Sequence, residues 1–361
     1  MGTLQRTALY ECHAESNARF VDFGGWDMPV QYTGTLLEHA AVREHMGIFD
    51  VSHMGEVVVR GPEAIDAVNR LITNDLNRIQ NGRAQYTVMC KPDGGIVDDL
   101  IVYRVSDEEL FLCVNASNRE KDYKWITENL SGDAVATDEG EQWSQIALQG
   151  PKAPRQLAET LGVPELEEMK PFRFVDVEWK GYQLRVATTG YTGSGGFEIY
   201  LPNEAAPKLW RALLEDGSPR GLVPAGLGSR DTLRLEKGYC LYGNDIDEGT
   251  NPLEAGLSWV VRLDKPDFIG RDALVSAKEN GVDKKLVGFG LVGRGIARAH
   301  YPVLANGQKI GSVTSGNMSP VLKRAIGMAY VSSEHSAIGS RIEVEIRGRA
   351  VEAVVEAVPF L

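Results

Sequence analysis

Two stretches of this chain carry the same pattern, and that pattern constrains the fold more than any other feature. GEVVVRGPEAIDAVNRLI begins at Gly55, and SQIALQGPKAPRQLAETLG begins at Ser144. Each reads as an apolar strand, a Gly-Pro step and an amphipathic helix, with proline where the first helical turn tolerates its missing N–H. The recurrence is either a strand–helix unit duplicated within one fold or a chance match of a common unit. Both readings give mixed sheet-and-helix architecture. Between the copies, 85–91, 96–105 and 110–115 read as strands separated by the turns PDGG and SDEE. The segment 118–130 reads as a helix. After the second copy, 174–179 and 183–189 form a hairpin around Lys180-Gly181, 196–201 is a strand, and 207–215 and 229–237 are helices.

The last third changes character. LVGFGLV, YPVLANGQKIGSVTSG, AIGMAYV and RIEVEIRGRAVEAVVEAV are short strands with glycine turns, the pattern of a small antiparallel barrel. A polar linker is expected at 276–285. The expectation is an α+β body over residues 1–280 and a β-barrel domain over 281–361. At roughly 100–200 residues per domain, 361 residues predict two or three domains.

Charge and cysteine usage exclude several classes. The net charge is -12 and no long basic run occurs, so a nucleic-acid partner is not expected. An anionic ligand would need local arginines against the average surface. The four cysteines are far apart and form no CxxC pair, which argues against zinc and a disulfide framework and fits a reducing compartment. No apolar run reaches the ~18 residues of a membrane span, and the N-terminus lacks an apolar signal region. A cytoplasmic location is expected.

The familiar catalytic signatures are missing: no GxGxxG after a strand, no GxxxxGK[ST], no HExxH, no GxSxG, and no arrangement suited to a metal. Chemistry must then rest on a carboxylate and on positioning. Asp98 and Asp99 interrupt an apolar strand-like run. Strand alternation sends them to opposite faces, so one can be solvated while the other enters the interior, where desolvation would suit it to proton handling. The pair could equally open the strand and bind backbone amides. TTGYTGSGGFE, 188–198, brackets Tyr191 with glycines and ends in Glu198. It reads either as a close-approach loop for a flat ligand or as an ordinary hairpin. In PAGLGSRDTLRLEKG, 224–238, Arg230 and Arg234 lie four apart on a helix, with Asp231 and Glu236 available to pair. They suit a ligand carboxylate or a solvated salt-bridge face. Trp259 in GLSWVV is a core residue or a ligand shelf.

Taken in order, VDFGGWDMPVQY, GIFDVSHMGE, ITNDL, GGIVDDLIVY, NASNREKDYKWI, ALQGPKA, TTGYTGSGGFE, AGLGSRDTLRLEKGYCLYGND, NPLEAGLSWVV and VTSGNMSP resemble the glycine cleavage T-protein family, from about residue 8 to the end. The resemblance implies a ring-like, multi-domain folate-binding transferase fold with the C-terminal barrel. It implies transfer of the aminomethyl carbon from the lipoyl arm of an H-protein partner to tetrahydrofolate as co-substrate, giving 5,10-methylenetetrahydrofolate and ammonia. It makes Asp99 the catalytic carboxylate. It places Met54, Tyr86, Ile101 and Tyr103 along the pocket, Tyr191, Glu198 and Arg230 on the folate, and Trp259 against the ligand. Lys284, Lys285, Arg294 and Arg298 are candidates for receiving an acidic H-protein. The chain ends at AVPFL, where many relatives continue, so a contact from such a tail is not expected. Rival readings are a folate-dependent demethylase and a folate-binding accessory protein of the same fold. The accessory proteins' cysteine motif is matched only partly by Lys237-Gly238-Tyr239-Cys240.

Overall fold

In the computed structural model, which describes residues 3–361, both copies of the strand–Gly-Pro–helix pattern form. Strand Gly55–Arg60 leads into helix Ala64–Leu71, and strand Trp143–Gln149 into helix Ala153–Leu161. The two turns share one conformation. Gly61 and Gly150 have φ of 138° and 131°, and the Ala64 and Ala153 amides donate to those glycines' carbonyls at 3.1 and 3.0 Å. A side chain is excluded twice over, by the positive φ and because a Cβ would lie 2.5 Å from Asp133 O in one turn and 2.5 Å from His45 O in the other.

The chain divides into two compact units that do not follow chain order. The first holds the described residues up to Val68, then Leu76–Tyr86 and Leu100–Asp231. The second holds Asn69–Asp75, Thr87–Asp99 and Thr232–Leu361. Strands Arg83–Cys90 and Ile96–Arg104 and helix Leu227–Glu236 each pass from one to the other.

Two large sheets build the first unit, beside a two-stranded ribbon of Arg19–Phe23 and Trp26–Gln31. One has six strands in the order Phe174–Trp179, Tyr182–Ala187, Gly196–Pro202, Trp143–Gln149, Met46–Asp50 and Leu222–Pro224; only the last pair is parallel. The other has five, in the order Arg83–Cys90, Ile96–Arg104, Glu109–Val114, Gly55–Arg60 and Val135–Asp138. Strand alternation gives the six-stranded sheet two different faces. Ile146, Leu148, Leu184, Val186, Phe197, Ile199 and Leu201 point to one side. There they pack on Leu157 and Leu161 of helix Ala153–Leu161 and on Leu209, Trp210 and Leu213 of helix Ala206–Gly217. Their neighbours point the other way, towards the five-stranded sheet. Phe174, Ala187 and Tyr200 meet Val58, Ala84, Tyr103, Phe111 and Cys113 there. Edge-to-face ring contacts hold that seam, with centroids 5.5 Å apart for Tyr103–Tyr200 and 4.9 Å for Phe111–Tyr200.

In the second unit, the strands Lys284–Leu291, Arg324–Ser332, Gln308–Ser319, Pro302–Ala305, Arg341–Ile346 and Arg349–Glu356 close into a barrel. The first pairs with both the second and the last, which removes the sheet edges. Phe289, Val303, Val313, Val331, Val344 and Val355 fill it. The α+β reading with a C-terminal antiparallel barrel therefore holds. In the segment 276–285, expected as a polar linker, helix Arg271–Asn280 runs through the first half, and the barrel begins at Lys284. Polarity there marks an exposed helix face, and only Gly281, at φ 82°, breaks the helix. Lys265 ties the early segment of this unit down, its ammonium donating to the carbonyls of Asn69, Ile72 and Asn74 at 2.6–2.8 Å. Among the described residues no helix is long and apolar enough to cross a membrane.

Candidate functional site

The inner face of the six-stranded sheet is apolar only in part. The alternation that sends Phe197 and Ile199 to the helices sends Glu198 inward beside Tyr200, and that of Trp143–Gln149 sends Gln145 and Gln149 inward. Four buried polar side chains on one face must be satisfied by one another or serve a ligand. Gln149 binds the glycine-rich loop. Its Nε2 donates to the carbonyls of Thr189 and Phe197, both at 3.1 Å, and its Oε1 accepts from Thr192 at 2.8 Å. Arg43 Nη1 fixes the loop from outside through Thr192 O at 2.5 Å and Ser194 Oγ at 2.7 Å. A side chain at residue 190 would displace the Gln149 amide, because a Cβ there would fall 2.1 Å from Gln149 Oε1. The loop is thus held at both ends with Tyr191 between.

Glu198 keeps only 7% of its surface exposed. Thr189 Oγ1 donates to its Oε2 at 2.6 Å, and Tyr103 OH lies 3.1 Å from Thr189 Oγ1. Burial pushes the Glu198 carboxyl above the usual range, and Arg230 and Thr189 pull it back. Arg230 rises from helix Leu227–Glu236 with its guanidinium carbon 4.9 Å from the Tyr191 ring centre. Burial lowers its pKa, against the opposing pull of Glu198 first and Tyr191 second. Its Nη1 is buried without a hydrogen-bond partner among the described residues. Glu38 sets where this helix starts: its carboxylate accepts from the amides of Tyr32, Gly34 and Gly226 at 2.6–3.0 Å.

The structure brings Tyr191, Glu198 and Arg230 together, with Met54 and Ile101 packed against the same seam. Tyr86 falls on the face of its strand that carries Ala84, a member of that cluster. Tyr103 is fully buried and its hydroxyl is taken up by Thr189 and Tyr200, so it stands beneath Glu198 instead of on an open wall. Of the adjacent acids, Asp98 is the one that enters the interior. Asp99 is partly buried, on the face of strand Ile96–Arg104 that carries Ile101 and Tyr103. Trp259 lies in the turn Ser258–Val260 of the second unit and is 56% exposed. Arg234 parts from Arg230. Its guanidinium pairs with Asp245 at 2.7 Å and Ser315 at 2.8 Å, a buried tie within the second unit. Lys284 is engaged with Glu254 and the Tyr330 ring, whereas Lys285, Arg294 and Arg298 are exposed.

Sequence reasoning missed three residues. Thr189 and Gln149 act through partners far along the chain. His53, 4% exposed, has its pKa lowered to about 4, by burial first and by Arg230 second, with Asp50 opposing. It is neutral at pH 7, and its Nδ1 has no partner among the described residues. Its only sequence signal was its place in DVSHMGE.

A flat polar ligand would meet a cation with a spare donor, a carboxyl with shifted acidity, an aromatic ring and apolar walls. Residues 9–265 match the family model of the GCVT N-terminal domain, and residues 284–361 match that of the glycine cleavage T-protein C-terminal barrel domain. The chain is 48% identical to an aminomethyltransferase of Halothermothrix orenii over 99% of this chain and 100% of that one. It is 47% identical to one of Caldanaerobacter subterraneus subsp. tengcongensis, over 98% and 95%. The crystal structure of glycine cleavage system aminomethyltransferase T from Bartonella henselae superposes with a TM-score of 0.93 at 33% identity, covering 99% of this chain and 98% of that one.

Proposed function

The chain belongs to the glycine cleavage T-protein family and is an aminomethyltransferase, and on that premise we propose that it passes the aminomethyl carbon from the lipoyl arm of an H-protein to tetrahydrofolate, giving 5,10-methylenetetrahydrofolate and releasing ammonia. The observation that carries the reading is Arg230 Nη1, a buried donor with no partner among the described residues, electrostatically coupled to Glu198 and set over Tyr191. An orphaned buried donor is costly, and a polar ligand edge or carboxylate would satisfy it. Tetrahydrofolate supplies the nucleophilic nitrogen that takes up the carbon. Arg230 and Glu198 bind and orient its polar groups, Tyr191 faces the ring, and Met54 and Ile101 supply apolar wall.

Asp99 is the carboxylate proposed to steady developing positive charge at the reacting carbon and to hold or release a proton there. Strand alternation supports this by aligning it with Ile101 on one face. Trp259, exposed in its own unit, is proposed to pack on the ligand. The exposed cations Lys285, Arg294 and Arg298 are proposed to receive an acidic H-protein.

Purified protein mixed with tetrahydrofolate and aminomethyl-loaded H-protein tests the reading. Ammonia and methylenetetrahydrofolate should form together, in proportion to H-protein. Folate binding without either product would move the demethylase or accessory role ahead.

A further inference from the structure

Behind Glu198 runs a file of hydrogen-bonding side chains that takes a single direction when the carboxyl is ionised. Gln145 Nε2, an amide nitrogen that can only donate, lies 3.1 Å from Tyr200 OH. Tyr200 OH lies 2.9 Å from Tyr103 OH, and Tyr103 OH lies 3.1 Å from Thr189 Oγ1. Thr189 donates to Glu198 Oε2 at 2.6 Å. At the far end Cys113 Sγ donates to Gln145 Oε1 at 3.7 Å. All six residues are buried and all belong to the first unit. Each hydroxyl has one hydrogen. With the one Thr189 hydrogen given to ionised Glu198, Tyr103 must give to Thr189 and Tyr200 to Tyr103, while Gln145 Nε2 gives to Tyr200.

The consequence concerns Glu198. Its Oε2 receives the Thr189 hydrogen while the carboxyl is ionised, and a proton added there would have to displace that hydrogen, which favours Oε1. We propose that Gln145, Tyr200, Tyr103 and Thr189 are positioning residues that form a one-way hydrogen-bond chain, locking Glu198 Oε2 and directing its proton to Oε1, the oxygen offered to the ligand. Chains of this kind polarise link by link in a dry interior, which strengthens the last bond beyond that of an isolated hydroxyl. Tyr103 therefore acts on the ligand without touching it. Two pieces of chain 97 residues apart in sequence are joined at the Tyr103–Tyr200 link.

The proposal rests on the reading of Glu198 as a ligand-binding residue, and two separate measurements keep the two apart. The first uses the protein alone: the Glu198 carboxyl carbon is labelled and its titration followed by NMR in the parent, Thr189→Val, Thr189→Ser and Tyr103→Phe. Thr189→Val keeps the shape and removes the hydroxyl, so the midpoint should move up. Thr189→Ser keeps the hydroxyl and should titrate as the parent does. Tyr103→Phe leaves Thr189 in place but cuts its supply, so the midpoint should move up by less than in Thr189→Val. A midpoint in Thr189→Val equal to the parent's overturns the proposal. A shift in Thr189→Val with none in Tyr103→Phe reduces the chain to a single bond and overturns it as a relay. The second measurement is tetrahydrofolate affinity. Thr189→Val should raise Kd about tenfold, the loss of one charge-assisted bond, and Thr189→Ser should hold it within about twofold of the parent. If Glu198→Gln leaves that affinity untouched while the titration results stand, the binding role of Glu198 fails and the chain survives as a structural device.

Discussion

Asp98 and Asp99 differ by one position and therefore by one face of a strand. Asp98 is fully buried, and Asp99 is partly buried on the face of Ile101 and Tyr103. Asp99→Asn keeps shape and removes charge, so turnover with loaded H-protein should fall by about 10²- to 10⁴-fold while tetrahydrofolate affinity stays near the parent's. Unchanged turnover would remove Asp99 from the chemistry. His53 gives a pH prediction. Its folded pKa is about 4, below the reference 6.5. Below pH 6.5 the unfolded chain takes up a proton that the folded chain refuses. The His53 contribution to stability is therefore fully present above that pH and is lost as pH falls towards 4, by roughly 3 kcal/mol at ~1.4 kcal/mol per unit. Urea midpoints at pH 7.5 and 4.5 should converge in His53→Gln, and equal losses in parent and variant would sink the assignment.

At the level of elements, the glycine-rich loop shows how a strand end becomes a binding edge. Gln149 fills the space a side chain at residue 190 would need. Gly190→Ala should displace the Gln149 amide and loosen its bonds to Thr189, Phe197 and Thr192, costing about 1–3 kcal/mol of stability. Tetrahydrofolate affinity should fall further than that stability loss accounts for, because Tyr191 moves with the loop. Calorimetric titration beside thermal melts separates the two, and an intact affinity would detach the loop from the site. The elements themselves were largely legible. The Gly-Pro turns, the strand at Phe174–Trp179 and the barrel strands follow from local pattern, since periodicity and turn residues act over a few positions. The site was legible only where a motif named it. Arg230 and Arg234 share a helical spacing, yet Arg234 pairs with Asp245 and Arg230 keeps a nitrogen without a partner among the described residues. Thr189 meets Tyr103 across 86 positions. No local pattern reports such a pairing, because it is made by sheet packing.

At the scale of the whole molecule, an acidic chain with net charge -12 has also buried acids, and they set how its stability responds to pH. Glu56 follows Gly55 at the start of the first Gly-Pro unit, on the strand face that carries Val58. It has no exposed surface, and neither carboxyl oxygen has a hydrogen-bond partner among the described residues. Burial pushes its pKa well above the ordinary value, with Arg119 pulling down and Asp138 pushing up. The folded chain therefore keeps a proton that the unfolded chain has released above about pH 4.5. Its contribution is present below that pH and is lost as pH rises towards the raised value, opposite in sign to His53. The two groups act with opposite sign, His53 eroding stability towards acid and Glu56 eroding it towards alkali. Glu56→Gln carries no proton and keeps the shape. Its melting temperature should exceed the parent's by a few degrees at pH 7.5, and the difference should vanish at pH 4, where the parent's Glu56 is protonated in both states. A variant that melts lower than the parent at pH 7.5 would show instead that Glu56 is held ionised by Arg119, and erosion towards alkali would then need another group.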